Sequence, residues 1–337
     1  MLLNRSFIAA GLCALAFSFT ACGGSSNSGD DDGDDEPSAP EGTHYGYVVS
    51  KGYIPAARGQ DTEFGLDLGA TKTNKLDGTV DNALGGTFMS IAALANLDIQ
   101  GAVTEAIDHG TILLLVDYQT ADFAAAAASG LRVKIGDIAT PAACADTTDL
   151  VCRHHLDGNG SFTVSANSPA DAAVAGKVVS GTFNGGPGDL SLQIALGDGA
   201  PLQLALHGAR AKATGMSATG GSIIVGGGLL VSDLDTTVFP AVHDILTGVI
   251  DEGCPLPRVG VPNCNCASTT TSTIINLFDG KTPAEPDNDC VVSLQEISNN
   301  PTLKSFLAPD LCTTASCTTP DALSLGIKVD VVKAVIQ

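Results

Sequence analysis

Near the carboxyl end of the chain, oxygen-bearing residues recur at a spacing that suits a hard divalent cation. The twelve residues 285–296 place carboxylates at positions 1, 3, 5 and 12 (Glu285, Asp287, Asp289 and Glu296), a hydroxyl at position 9 (Ser293) and the carbonyl of Val291 at position 7. Calcium takes six to eight oxygens, and this register draws them from one short segment. Apolar Val292 at position 8 gives the loop a point of attachment to a core. Moving the frame so that Asp287 comes first puts Val291 at position 5 and Ser298 at position 12, which removes the pattern. Calcium is the cofactor expected.

This segment resembles the EF-hand calcium loop, with two departures. Glu285 stands where Asp is usual, and Cys290 stands where the fold wants a glycine with positive φ, at a backbone cost of about 1 kcal/mol. Pro283 and Pro286 break any helix leading in, so the expectation is a single loop followed by a short helix, similar to the dockerin-like arrangement. A disulfide should pin Cys290, and Cys312 is the partner considered. The competing reading is a polar turn in which Ser293 and Glu296 start a helix.

Other groupings are weaker. Asp67, Asp77, Asp81 and Asn82 lie among Gly69, Gly78 and Gly85 and form a second possible cation site. Turns, with Asp81 capping the helix that follows, explain the same residues. His154 and His155 are adjacent, and neighbours on a strand point to opposite faces, so they should not share a metal. No G-x-S-x-G elbow, H-E-x-x-H pair or dinucleotide fingerprint occurs, and the six histidines are scattered. The expectation is a non-enzymatic protein, with a hydrolase site assembled from distant positions as an alternative.

Charge narrows the partners. The chain of 337 residues carries 37 acidic and 16 basic side chains, a formal charge of −21. Nucleic acid and bare anionic membrane surfaces are repelled by that balance. With 44% apolar residues and no Trp, the chain can bury a large core, and that core must be mainly aliphatic.

The amino terminus supplies an address. Residues 1–21 read as a secretory signal, with Arg5 before an apolar stretch too short to span a membrane. The sequence Phe19-Thr20-Ala21-Cys22 resembles the lipobox of bacterial lipoproteins, although Phe19 departs from the usual Leu. The resemblance implies lipidation at Cys22 and attachment to a membrane through that lipid. Gly23 after the cysteine, where inner-membrane lipoproteins carry Asp, implies the outer membrane or the cell surface. Residues 22–42 are polar and include an acidic run from Asp30 to Glu36, so this part is expected to be a disordered tether reaching about 25 Å.

Residues 43–337 keep 15 basic and 30 acidic side chains and are expected to form a single compact domain. Leu190, Leu192, Ile194 and Leu196 alternate with polar or small residues, and Leu202, Leu204 and Leu206 resume the alternation, which predicts a hairpin. Strands are also expected at 111–118, 131–138, 161–166, 177–184, 222–225 and 323–336, and helices after Asp81, after Asp98 and around Val238 to Val249. The fold class is α+β and β-rich: an antiparallel sandwich or open barrel with a few packed helices. Eight cysteines remain in an exported domain, at 144, 152, 254, 264, 266, 290, 312 and 317. Four disulfides are expected, Cys144 with Cys152 first, in a disulfide-rich carboxyl-terminal segment.

Four features together resemble the predicted surface lipoproteins of myxobacteria. They are Cys22 with its low-complexity tether, the segment Leu76-Asp77-Gly78 to Asn82, the acidic loop running from Ser293 to Asp310, and Ala322-Leu323-Ser324-Leu325-Gly326. The resemblance implies a calcium-binding surface protein and supplies no activity; the expected role in adhesion or envelope organisation, with the calcium structural, rests on location alone. A carrier for an apolar ligand, with the aliphatic β stretch lining a cavity, is a second expectation.

Overall fold

The alternation around Leu190 to Leu206 is a hairpin in the computed structural model, which describes residues 38–337 except 56, 58, 70–75, 96–97, 147, 150, 171, 195–201, 259–263, 268, 281–288 and 315–316. Leu190, Leu192 and Ile194 face Leu206, Leu204 and Leu202 across the pair. The described strands are β1 (Thr43–Tyr53), β2 (Leu114–Thr120), β3 (Ala126–Thr140), β4 (Ser161–Val164), β5 (Ala173–Val179), β6 (Thr182–Ile194), β7 (Leu202–Ser217), β8 (Gly220–Leu230), β9 (Ala322–Lys333) and β10 (Val335–Ile336). Eight of them, in the order β3-β2-β1-β9-β8-β7-β6-β5, form an antiparallel sheet that the β3–β5 pairing closes into a barrel. The protein is β-rich as expected, and the barrel is closed, neither open nor a sandwich. As expected, the carboxyl-terminal strand ties the chain back onto the β core, with β9 seated between β1 and β8.

One predicted strand is two. Residues 177–184 fold as the end of β5, a Ser180-Gly181 turn and the start of β6, with Val179 opposite Thr182. Ser180 and Gly181 have φ of 50° and 76°, the left-handed pair that matches the twist of a two-residue hairpin.

The lumen is packed with side chains, as the width of an eight-stranded barrel allows. Tyr118 meets Phe183 edge-on at 5.5 Å. The Tyr47 hydroxyl donates across the barrel to the Ser217 carbonyl at 2.6 Å. Ala209, Ala211 and Ala213 on β7 are buried, and Ala213 sits directly opposite Phe183, so a small residue makes room for a large one. Lys177, Lys212, Lys328 and Asp330 alternate with these inward residues and belong to the outer face. The last part of β3 leaves the barrel wall and pairs with β4, which pairs with β10. Ile336 of this ribbon approaches Gly46 of β1 so closely that a Cβ there would lie 3.2 Å from it.

The helices are α1 (Gln60–Glu63), α2 (Ala83–Ala95), α3 (Ile99–Asp108), α4 (Val231–Asp233), α5 (Phe239–Gly253), α6 (Thr269–Phe278), α7 (Leu294–Asn299) and α8 (Pro301–Phe306). A π turn at Leu234–Val238 joins α4 to α5. Asp98 caps α3 through its carboxylate and the Gly101 amide. Four disulfides are present: Cys144–Cys152, Cys254–Cys266, Cys264–Cys290 and Cys312–Cys317. The first matches expectation, whereas Cys290 pairs with Cys264 instead of Cys312, because Cys312 closes a local turn with Cys317.

β9 has an edge that no described strand covers, met by chain only in the single Leu311–Ala322 bridge at its start. Its pairing with β1 stops at Lys328, yet its pairing with β8 continues to Ala322. Side chains complete that edge: Asn82 accepts from the Gly326 amide at 2.8 Å and donates to its carbonyl at 3.1 Å. Asp310 accepts from both the amide and the hydroxyl of Ser324, at 2.7 and 2.6 Å. Buried backbone groups must find partners, and here two polar side chains stand in for a strand.

Candidate metal centre

The candidate loop lies between two helices. α6 buries Ile274 and Ile275 against the core and ends at Phe278, ahead of the prolines that sequence reasoning took as an obstacle. Asp279 follows at once and is 5% exposed. Its carboxylate accepts from the amides of Asp289 and Cys290, at 3.2 and 2.8 Å. This residue was missed because it lies six positions ahead of the twelve-residue frame. The readable signal was an acidic residue at the end of an apolar helical repeat.

Glu285 and Asp287 fall outside the described residues. Asp289 is exposed, and its Oδ1 accepts from the Val291 amide at 2.9 Å. Cys290 has φ 69°, the left-handed conformation that the loop resemblance demands at its sixth position. The disulfide to Cys264 fixes it there, and both cysteines are buried. Val291 is exposed, while Val292 is buried and packs into the core, as position 8 requires.

Ser293 and Glu296 form a capping box at the start of α7. The serine hydroxyl accepts from the Glu296 amide at 3.2 Å, and Glu296 Oε2 accepts from the Ser293 amide at 2.8 Å. Glu296 Oε1 accepts from the Gly280 amide at 3.0 Å. Two carboxylates thus staple the loop from opposite ends. Asp279 holds residues 289 and 290, and Glu296 holds residue 280. Asn300 adds a third tie, donating to the Leu277 carbonyl at 2.7 Å while capping α8.

Burial pushes the Glu296 carboxyl above its usual range, and the nearby Asp279 charge adds to that against the pull of the amide bonds. Each ionised carboxylate has about four lone-pair positions. The described amide bonds of Glu296 and Asp289 leave acceptor capacity on both. A divalent cation here would neutralise carboxylates that now repel one another at short range.

Asp67, Asp77, Asp81 and Asn82 are gathered in one place, but their hydrogen bonds are those of a turn. Asp67 accepts from the amides of Gly69, Asp77 and Gly78, at 3.0, 3.4 and 2.7 Å. Asp77 accepts from the Thr79 amide at 2.8 Å, and Asp81 from the Leu68 amide at 2.7 Å. Asn82 caps α2 by accepting from the Gly85 amide, so the cap is one residue later than expected. Burial raises the Asp81 carboxyl, and the charges of Asp310, Asp77 and Asp67 add to this.

The two histidines at 154 and 155 sit on a 3-10 turn and not on a strand. His154 is exposed and pairs with Asp149 at 2.9 Å, while His155 is buried. Two other groups bring possible ligands together, His109 with Cys144 and Cys152, and Asp279 with Cys264 and Cys290. In both, the sulfurs are bonded to each other, so they offer no thiolate to a metal. Cys22 lies outside the described residues. Comparison with known protein families, with curated proteins and with solved structures finds no match to this chain.

Proposed function

We propose that this chain is a non-enzymatic lipoprotein of the outer membrane or cell surface, anchored through Cys22, in which a barrel carries a structural calcium site serving adhesion or envelope organisation. The observation that supports calcium is the pair of buried carboxylates, Asp279 and Glu296, that staple both ends of a loop whose sixth position already has positive φ. Asp279, directly after the entering helix, is added to the expected ligands, and Glu285 and Asp287 lie outside the described residues. Asp289, the Val291 carbonyl, Ser293 and Glu296 keep their positions in the register.

The outer face of the barrel carries Lys177, Lys212, Lys328 and Asp330, and the lumen is aliphatic and aromatic. That is the reverse of a barrel wall that meets lipid, so the reading assigns membrane attachment to acyl chains and not to strands. The carrier alternative draws no support from the lumen, which Tyr47, Tyr118, Phe183 and Leu206 fill. His44, His154, His207 and His243 each stand beside an Asp at widely separated places, and among the described residues the one cysteine that hydrogen-bonds such a pair, Cys152 at Asp149, is locked in a disulfide and offers no thiolate.

Calcium titration of the oxidised domain, followed by calorimetry and by thermal melting, tests the site. At calcium a few times Kd, binding should add about 1 kcal/mol of stability. Glu296→Gln and Asp279→Asn should each weaken binding at least tenfold. A melting temperature that chelator leaves unchanged, with no heat of binding, reduces the loop to a turn.

A further inference from the structure

We infer that the described residues of 141–160, between β3 and β4, form an acid-released flap whose latch is the buried imidazole of His155. The ring is 0% exposed, and neither Nδ1 nor Nε2 has a hydrogen-bond partner. Three stretches of chain meet around it. Phe162 of β4 stands edge-on at 6.1 Å, and Gly110 after α3 lies so close that a Cβ there would be 3.8 Å from Nε2 and 2.9 Å from the Ala143 side chain. The flap is closed on itself by Cys144–Cys152. Its described ties to the body near the ring are the Arg153–Asp108 ion pair, the Arg153 amide to the Asp108 carbonyl at 3.0 Å and the Arg153 guanidinium to the Ser50 carbonyl at 3.2 Å.

A buried polar group without a partner is rare enough to need an explanation. A neutral imidazole can be held in such a site, whereas an imidazolium with no acceptor cannot be held cheaply. The groups that face the ring decide how firmly it stays neutral. From α3, the Ile107 carbonyl favours charge on the ring although outside hydrogen-bond geometry, and the Asp108 carboxylate adds to this but is already paired with Arg153. From its own turn, Arg153 and His154 both oppose a positive charge, and His154 is engaged with Asp149. β4 presents only the Phe162 ring, and His109 lies across the disulfide. Burial is the largest influence, and it pushes the imidazole below its ordinary range.

Proton uptake is therefore linked to opening. A base whose affinity for protons is lowered in the closed state stabilises that state fully above about pH 6.5, and the stabilisation falls away below it. The opening constant rises at most tenfold per pH unit until the closed-state imidazole itself titrates. The trigger is the hydronium ion, and what opening uncovers is Phe162 and the β4–β10 ribbon. This inference does not depend on the calcium reading.

Hydrogen exchange of the oxidised chain between pH 7.5 and 4.5, corrected for the intrinsic pH dependence of exchange, provides the test. Amides of 141–160 and β10 should open increasingly below pH 6.5, while those of β7 and β8 stay protected. His155→Phe, whose ring fills the same space, and His155→Gln, neutral at every pH, should both remove the slope. An unchanged slope in the variants overturns the inference. So does an imidazole pKa at or above 6.5 for His155, measured by NMR in the wild-type chain, whether or not the variants fold.

Discussion

The barrel and the helical segment after it are held together by different chemistry. In the barrel, long antiparallel ladders satisfy the backbone, and fully buried Tyr118, Phe183, Leu131 and Leu206 fill the space between walls. In residues 254–317 the helices are short, three disulfides cross-link them, and buried carboxylates take over the pairing of amides. Ladder and packing energy grow with every added residue, so the barrel is stable by accumulation. The helical segment has little core of its own and depends on a few ties, each of which matters separately.

The sharpest way to break this contrast is to cut into the lumen. Phe183→Ala should destabilise by about 3–5 kcal/mol and should do so cooperatively, with all strands melting together in calorimetry and in far-ultraviolet circular dichroism. A variant that loses only the helical segment, with the strands still protected, would show that Phe183 is not part of the barrel's cooperative unit. Removing the Cys264–Cys290 cross-link by a double Ser replacement should cost about 3–4 kcal/mol by the loop-entropy relation for a separation of 26 residues. The loss should appear as local opening of α6 and α7 under limited proteolysis, with the β7 and β8 amides still protected from exchange.

The smallest effect concerns Asp81, at the seam between α2 and the barrel. Its carboxyl is raised in the folded chain, so its contribution favours folding below the unfolded value of about 3.9 and fades as pH rises through the folded value. Wild type should gain stability relative to Asp81→Asn as pH falls from 7 toward 4. Equal slopes in urea titrations of the two chains would show that burial of Asp81 carries no such linkage.

What could be read from the sequence follows the same division. The Leu190–Leu206 hairpin was legible because alternation is a local signal that the fold does not override. The Ser180-Gly181 turn was not, because apolar residues on both sides made residues 177–184 look continuous. Closure through β3 and β5 pairs residues more than forty positions apart, as in Leu131 with Val174, and no local pattern encodes it. Spacing foresaw the positive φ at Cys290, and the competing turn reading foresaw the capping box that Ser293 and Glu296 form at the start of α7. Asp279 escaped because it lies six positions ahead of the twelve-residue frame, and fixed spacing looks only within that frame. The partner of Cys290 escaped because eight cysteines allow 105 pairings, and its partner Cys264 lies 26 positions away, beyond any local signal.

The side-chain cover on β9 has a consequence wherever copies of the chain are crowded together. An uncovered run of ladder groups is a template on which a second molecule can lay a strand. Asn82 and Asp310 occupy that template from within the same chain. Neighbouring copies packed side by side are refused a foothold at this seam, and the two residues act as chaperones that the molecule carries in its own sequence.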